Sequence, residues 1–284
     1  MTVSNDASLR GKCKALAKRH GLKAQEVMQM YFFERFLVRL SQSPYNDRFI
    51  LKGGLLIASL MGVANRTTMD MDATLRSVSL DEKTAEHMVS EICGIEADDG
   101  ILFAFDYVEP IRDDDEYGGL RAHIKATFGR MSAPMKIDLT CGDSITPSAV
   151  AYPFPLMFDE GSVLVMSYPL ATSIAEKFEA LVKRGVTTTR ARDLYDLARL
   201  MQIYKDDLDW NDVRRAVANT VRHRGSEALI VDYERICHEL LESDAIANLW
   251  VAYADENSFA RTVTLEEAVD AIVLVGTRCI GKIR

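Results

Sequence analysis

The chain has 284 residues, 48% of them hydrophobic, 27% charged and 8% aromatic, with a formal net charge of −8. That composition can bury the core of one large domain or two small ones, and it excludes disordered and low-complexity classes. The longest nearly uncharged apolar run, Leu55 to Ala64, is too short to span a bilayer.

In chain order, residues 8–19 and 24–42 have helical patterning. Met28, Tyr31, Phe32, Phe36, Leu37 and Leu40 mark an apolar stripe at the i, i+3, i+4 spacing. A short apolar helix is expected after Gly53-Gly54 and another over 81–94. Strands are expected over Met69–Leu75, Ile101–Val108, Leu120–Met131 and Met135–Thr140. Residues 171–184, 191–204, 210–222, 226–242, 244–254 and 264–275 have helical patterns, with Ile174, Phe178, Leu181 and Val182 as the clearest stripe. All seven prolines lie between Pro44 and Pro169, and twelve of the sixteen glycines fall at or before Gly161. The loss of turn residues beyond that point predicts a mixed α/β part over 1–165 and a helical part over 166–284.

Five scattered cysteines (13, 93, 141, 237 and 279) without a CxxC pair argue against a disulfide framework or a structural zinc site. The polar, basic first twenty residues lack the apolar core of a signal peptide, so the expected location is cytoplasmic. Charge is unevenly spread. Residues 1–52 carry ten Lys/Arg against four Asp/Glu, residues 70–116 three against fifteen, and residues 177–224 eleven against seven. An acidic block between two basic ones fits a metal–phosphate centre flanked by surfaces that attract a polyanion, with Arg214, Arg215, Arg222 and Arg224 as contacts. The same charges also fit solvated helix faces.

Met69-Asp70-Met71-Asp72 is the sharpest local motif. In a strand, residues i and i+2 face one side, so Asp70 and Asp72 point together while Met69 and Met71 point into the core. Two like charges on one face favour a bound cation, and hard oxygen ligands suit Mg²⁺ or Mn²⁺. Asp138 interrupts the apolar strand around Ile137 and Leu139 and is the expected third metal ligand. Upstream, Gly53-Gly54 before a helix would let backbone N–H groups approach phosphate, with Lys52 adding charge. No GxxxxGK[ST] or GxGxxG string is present. The string Asp70-Met71-Asp72-Ala73-Thr74 also matches a DxDxT phosphatase nucleophile motif, whose first Asp should end a buried parallel strand. Farther along, Lys177 borders the Ile174/Leu181 stripe. Half-buried there, it needs an anionic partner, for which Asp193 and Asp196 on the next helix are candidates.

Lys52-Gly53-Gly54, Arg66-x-Thr68-x-Asp70-x-Asp72, Asp138, Ala175-Glu176-Lys177 and Arg192-Asp193-Leu194-Tyr195-Asp196-Leu197 follow one another in this order. Over roughly residues 25–205 the arrangement resembles the AbiEii toxins, nucleotidyltransferase-like proteins of type IV toxin–antitoxin and abortive-infection (antiviral defence) systems. The resemblance implies an α/β (α+β) fold, with a DNA-polymerase-β-like nucleotidyltransferase core and a helical C-terminal domain. It implies a metal-dependent enzyme that uses a nucleoside triphosphate with Mg²⁺ or Mn²⁺ and adds a nucleotide to RNA, notably tRNA. Gly53 and Gly54 would cradle the triphosphate, with Lys52, Arg66 and Thr68 in the same binding set. Asp70 and Asp72 would hold metal, Lys177 would contact phosphate, and Asp193 would be the essential C-terminal acid. The wider superfamily often has serine where Gly54 stands, so a hydroxyl is missing here. A cognate antitoxin from a neighbouring gene is implied, one that opposes the toxin's effect without binding it. No membrane partner is expected. A catalytically silent GTP-binding regulator on the same fold is the alternative.

Overall fold

Helix α1, Asp6–His20, begins where the Asn5 side chain accepts from the Ser8 N–H at 2.8 Å and ends at Gly21 in the left-handed conformation. In this computed structural model the described residues are 3, 5–111 and 118–281. The acidic run 113–116 therefore lies outside them. Helix α2, Ala24–Gln42, is buried on nearly every side, not along one stripe alone. Its buried charges have become internal ties. Arg39 donates to both oxygens of Asp99 (2.9 and 2.8 Å) and to the Ile101 carbonyl at 2.6 Å, and Glu34 accepts from Arg35 at 2.7 Å and from the Met157 N–H at 2.5 Å.

The sheet consists of β1 (Phe49–Lys52), β2 (Met71–Leu75), β3 (Ile101–Pro110), β4 (Leu120–Phe128), β5 (Met131–Cys141), β6 (Val150–Pro155) and β7 (Ser162–Ser167), in the order β3-β4-β5-β2-β1-β7-β6. Helix α3 (Gly53–Met61) follows β1 directly. Helix α2 packs against β7 and β5, while α4 (Glu82–Cys93) packs on β3 and β4. Three departures from the sequence reading have local causes. Strand β2 starts at Met71, because the Thr68 hydroxyl bonds to both the N–H and the carbonyl of Asp70 and holds 68–70 in a turn. Met69 is consequently 39% exposed, not in the core. Gly129-Arg130 forms a two-residue turn between β4 and β5, so Pro134 lies within β5. Its missing N–H costs no ladder bond there, since β2 pairs only from Ile137 onward and the Pro134 carbonyl turns to the Gln29 side chain. Strands β1, β6 and β7 are not among those expected from sequence, and in β6 Pro153 and Pro155 are tolerated because it is the sheet's edge.

Residues 1–143 with 150–167 make one compact unit, and residues 144–149 with 168–284 make a second, helical one. The helical unit contains α5 (Leu170–Arg184), α6 (Ala191–Tyr204), α7 (Trp210–His223), α8 (Glu227–Ile230), α9 (Tyr233–Glu242), α10 (Asp244–Glu256) and α11 (Leu265–Cys279). Residues 144–149 join it through Thr146, whose N–H and carbonyl both bond to the Thr172 hydroxyl (2.9 and 2.8 Å) at the start of α5. The single helix expected over 226–242 breaks between α8 and α9, where the Asp232 N–H turns back to the Leu229 carbonyl. The expected stripe Ile174, Phe178, Leu181 and Val182 is buried.

Burial pushes the Glu34 carboxyl up to about 7, with Arg35 opposing the shift. A folded pKa above the unfolded one stabilises the protein below the unfolded value and is lost as pH rises through the folded one. The urea midpoint is therefore expected to fall from pH 4.5 to about 7, and Glu34→Gln should flatten that fall. An unchanged slope in the variant would assign the dependence to other groups.

Candidate active site

Four strands bring one row of charges together. Lys52 on β1 lies opposite Asp72 on β2, Asp72 opposite Asp138 on β5, and Asp138 opposite Arg121 on β4. Direct cross-strand partners point to the same side of a sheet, so the row reads cation, anion, anion, cation on one face. The alternate residues Leu51, Met71, Ala73, Ile137 and Leu139 are buried, which fixes the register that exposes the charges.

The Gly53-Gly54 turn lies directly against this row. Gly53 has φ +63, and a Cβ built there would fall 2.1 Å from Asp72 Oδ2. The Gly54 N–H donates to the same oxygen at 3.3 Å. A Cβ on Gly54 would meet Thr68 Oγ1 at 2.8 Å and Arg66 Nη2 at 3.3 Å. Both glycines are needed, the first by its backbone and the carboxylate, the second by the wall behind it. That wall is buried: Arg66 is 1% exposed and its guanidinium donates to the Thr67 carbonyl. Arg66 and Thr68 thus shape the turn from behind. Gly53→Ala should cost about 1–2 kcal/mol from the left-handed backbone alone, and more as Asp72 is pushed aside. Urea unfolding reads it, and wild-type stability would show that the turn is not held in this conformation.

Burial raises the Asp72 carboxyl above its usual range and Asp138 raises it further. Lys52 and the Gly54 N–H pull it back, and Asp70 adds to the rise. Lys52 is itself engaged, with Asp143 at 2.5 Å and Thr140 at 2.7 Å. Arg121 holds both oxygens of Asp138, at 2.7 Å through Nε and 2.8 Å through Nη2. Asp138, and then Asp70 and Glu109, raise the Arg121 guanidinium still further. Sequence reading missed Arg121, Thr140 and Asp143. For Arg121 the signal was its place in the alternation of β4, with Leu120, Ala122, Ile124 and Ala126 buried around it.

The residues present fit the expected divalent metal in part. Asp70 and Asp72 fit: Asp72 is half-buried, crowded by carboxylates and set against a turn too tight for a Cβ, and a cation there would relieve its excess negative charge. Asp138 fits less well as a third ligand, because Arg121 neutralises its charge and already takes one lone pair on each of its oxygens. Among the described residues, no group of three or more His, Cys, Asp or Glu side chains is arranged to hold a metal. The phosphatase reading fails on geometry. Its nucleophile should end a parallel strand, whereas Asp70 precedes β2.

The helical unit holds the second group of predicted residues. Lys177 on α5 reaches Asp193 and, at 3.0 Å, Asp196 on α6. The lysine side chain is 16% exposed and Asp196 fully buried, so the two helices are tied by a largely desolvated ion triad. Arg224 pairs with Glu176 at 2.9 Å and with the buried Glu179 at 2.8 Å. It is thus committed within its own unit and is not the exposed nucleic-acid contact expected from sequence.

A model of the family described as "Nucleotidyl transferase AbiEii toxin, Type IV TA system" matches residues 35–273. Two crystal structures from H. pylori are similar in fold. One is of a candidate nucleotidyltransferase, with 15% identity, a TM-score of 0.52, and coverage of 90% of this chain and 95% of that one. The other is JHP933, with 16% identity, a TM-score of 0.52, and coverage of 90% and 92%. No curated protein matches the chain significantly.

Proposed function

Because the chain belongs to the AbiEii family of nucleotidyltransferase toxins of type IV toxin–antitoxin systems, we propose that it moves a nucleoside monophosphate from a nucleoside triphosphate onto a hydroxyl of an RNA acceptor, tRNA foremost. The observation that carries this reading is the Gly53-Gly54 turn packed against Asp72, with Asp70 beside it. The acceptor hydroxyl gives up its proton to a carboxylate of the site or to solvent as its oxygen bonds to the α-phosphorus, the bond from that phosphorus to the bridging oxygen breaks in line, and pyrophosphate leaves. Asp70 and Asp72 would hold Mg²⁺ or Mn²⁺, which supplies Lewis-acid stabilisation of the charge that builds on phosphate.

The chain's own groups bind and orient. The first turn of α3 has no side-chain cap from Lys52, and although its Gly54 N–H is directed to Asp72 Oδ2, the positive end of the helix would favour phosphate oxygens. Lys52, fixed by Thr140 and Asp143, adds a cation beside Asp72. Within the helical unit, Lys177 is the proposed phosphate contact and Asp193 the acid that orients it. Toxin-family membership implies an antitoxin, proposed to come from a neighbouring gene and to oppose the toxin's effect without clamping its surface. No helix among the described residues is long and apolar enough to cross a membrane, and the proposed place of action is the cytoplasm.

Incubation with each labelled nucleoside triphosphate, Mg²⁺ and total RNA tests the proposal. Label should enter RNA from one triphosphate and only with metal present. Triphosphate binding without label in any RNA would replace the enzyme reading with that of a GTP-binding regulator.

A further inference from the structure

We propose that Arg121 takes the place of a second metal ion in this site, so that the protein binds one divalent cation, at Asp70 and Asp72, with Asp138 neutralised from within the chain. The inference rests on the nucleotidyltransferase reading for the identity of the site, and on the geometry of β4 and β5 for the rest. Asp138 and Arg121 are direct partners in the antiparallel β4–β5 ladder. The buried neighbours Leu120, Ala122, Ile137 and Leu139 hold that register, so the pair is built into the sheet and is not a chance surface contact.

The guanidinium meets the carboxylate with two bonds, one to each oxygen, at 2.7 and 2.8 Å. Such a fork-to-fork pair is the strongest arrangement the two groups can make, and it takes one lone pair on each Asp138 oxygen while cancelling the negative charge that would attract a second cation. Asp138 is largely buried, its side chain 17% exposed, which limits the competition of water for either partner. Arg121 is also within electrostatic reach of Asp70 and Glu109. It therefore supplies one fixed positive charge in the middle of three carboxylates. A two-metal site clamps the attacking and the leaving oxygen with separate ions. Here the cation on the Asp138 side cannot dissociate or be chelated.

Counting bound Mn²⁺ tests this directly, by equilibrium dialysis with electron paramagnetic resonance of the free ion, on the full chain with a non-hydrolysable α,β-methylene nucleoside triphosphate. The wild type should bind one ion per chain. Asp138→Asn, which leaves Arg121 an amide oxygen to bond, should also bind one, with affinity within about twofold of the wild type. Arg121→Gln frees the Asp138 carboxylate and should bind a second ion, and the double variant Arg121→Gln with Asp138→Asn should return to one. Two ions on the wild type, or a tenfold loss of Mn²⁺ affinity in Asp138→Asn, would overturn the proposal by making Asp138 a ligand. A single ion on folded Arg121→Gln would also overturn it, since something other than Arg121 would then exclude the second. If Arg121→Gln does not fold, the wild-type count and Asp138→Asn decide alone. The count is independent of turnover. One ion without transfer to RNA leaves this inference standing and removes the functional reading, and two ions with transfer do the reverse.

Discussion

Asp72→Asn is expected to abolish nucleotidyl transfer, by at least about a thousandfold, in a protein that folds and resists urea better than the wild type. Both halves follow from one environment. Asp72 is held in the sheet between Lys52 and Asp138, with the Gly53 backbone against its Oδ2. Burial and the neighbouring carboxylates already push its carboxyl toward the neutral form, which means that the metal-free fold bears an unfavourable charge at this position. The amide keeps the shape and an oxygen for the Gly54 N–H while removing that charge, so the fold gains. The same change removes the anionic ligand, so metal and triphosphate binding suffer. Asp70→Asn should lose transfer equally with less effect on stability, since Asp70 stands in the turn before β2 and is not locked in the ladder. A folded Asp72→Asn protein that still moved label into RNA at the wild-type rate would sink the site assignment.

The site's chemistry was legible where a strand's alternation was interrupted. Asp138 stood out because its neighbours Ile137 and Leu139 are apolar, and the glycine pair stood out as a break between an apolar run and an apolar helix. What alternation within one segment does not carry is which strands are adjacent. Asp138 looked like a third metal ligand because its cross-strand partner, Arg121, is seventeen positions away and belongs to another strand. The same limit applies to Arg224, whose exposure was inferred from a run of basic residues and whose actual partners lie 45 and 48 positions earlier. Helices fared better. The boundaries of α2 and α6 match the expected residues, because helical periodicity is local. Long-range pairing decided the misses at Asp138 and Arg224.

Lys177→Met is expected to lower the stability of the protein by about 3–5 kcal/mol, the cost of removing one partner from a buried ion pair. Sequence left open whether this lysine was free for a ligand or tied to the next helix. In the structure it is tied twice, to Asp193 and at 3.0 Å to the fully buried Asp196. The methionine keeps the aliphatic stem beside Phe178 and Leu181 but removes the ammonium that both carboxylates face. Adding Asp193→Leu should recover only part of the loss, because Asp196 has no exposed surface through which to find water. Adding Asp196→Leu as well should recover most of it, and the shortfall from additivity measures how tightly the three groups are coupled. Transfer separates the structural from the functional role. If Lys177 and Asp193 serve only to join α5 to α6, the triple variant regains activity together with its melting temperature. Under the proposed function, the stable triple variant stays inactive and binds the triphosphate more weakly, because the repacked helices lack the ammonium. Melting, triphosphate binding and label incorporation on the three variants therefore decide between a bolt in the helical unit and a bolt that also touches substrate.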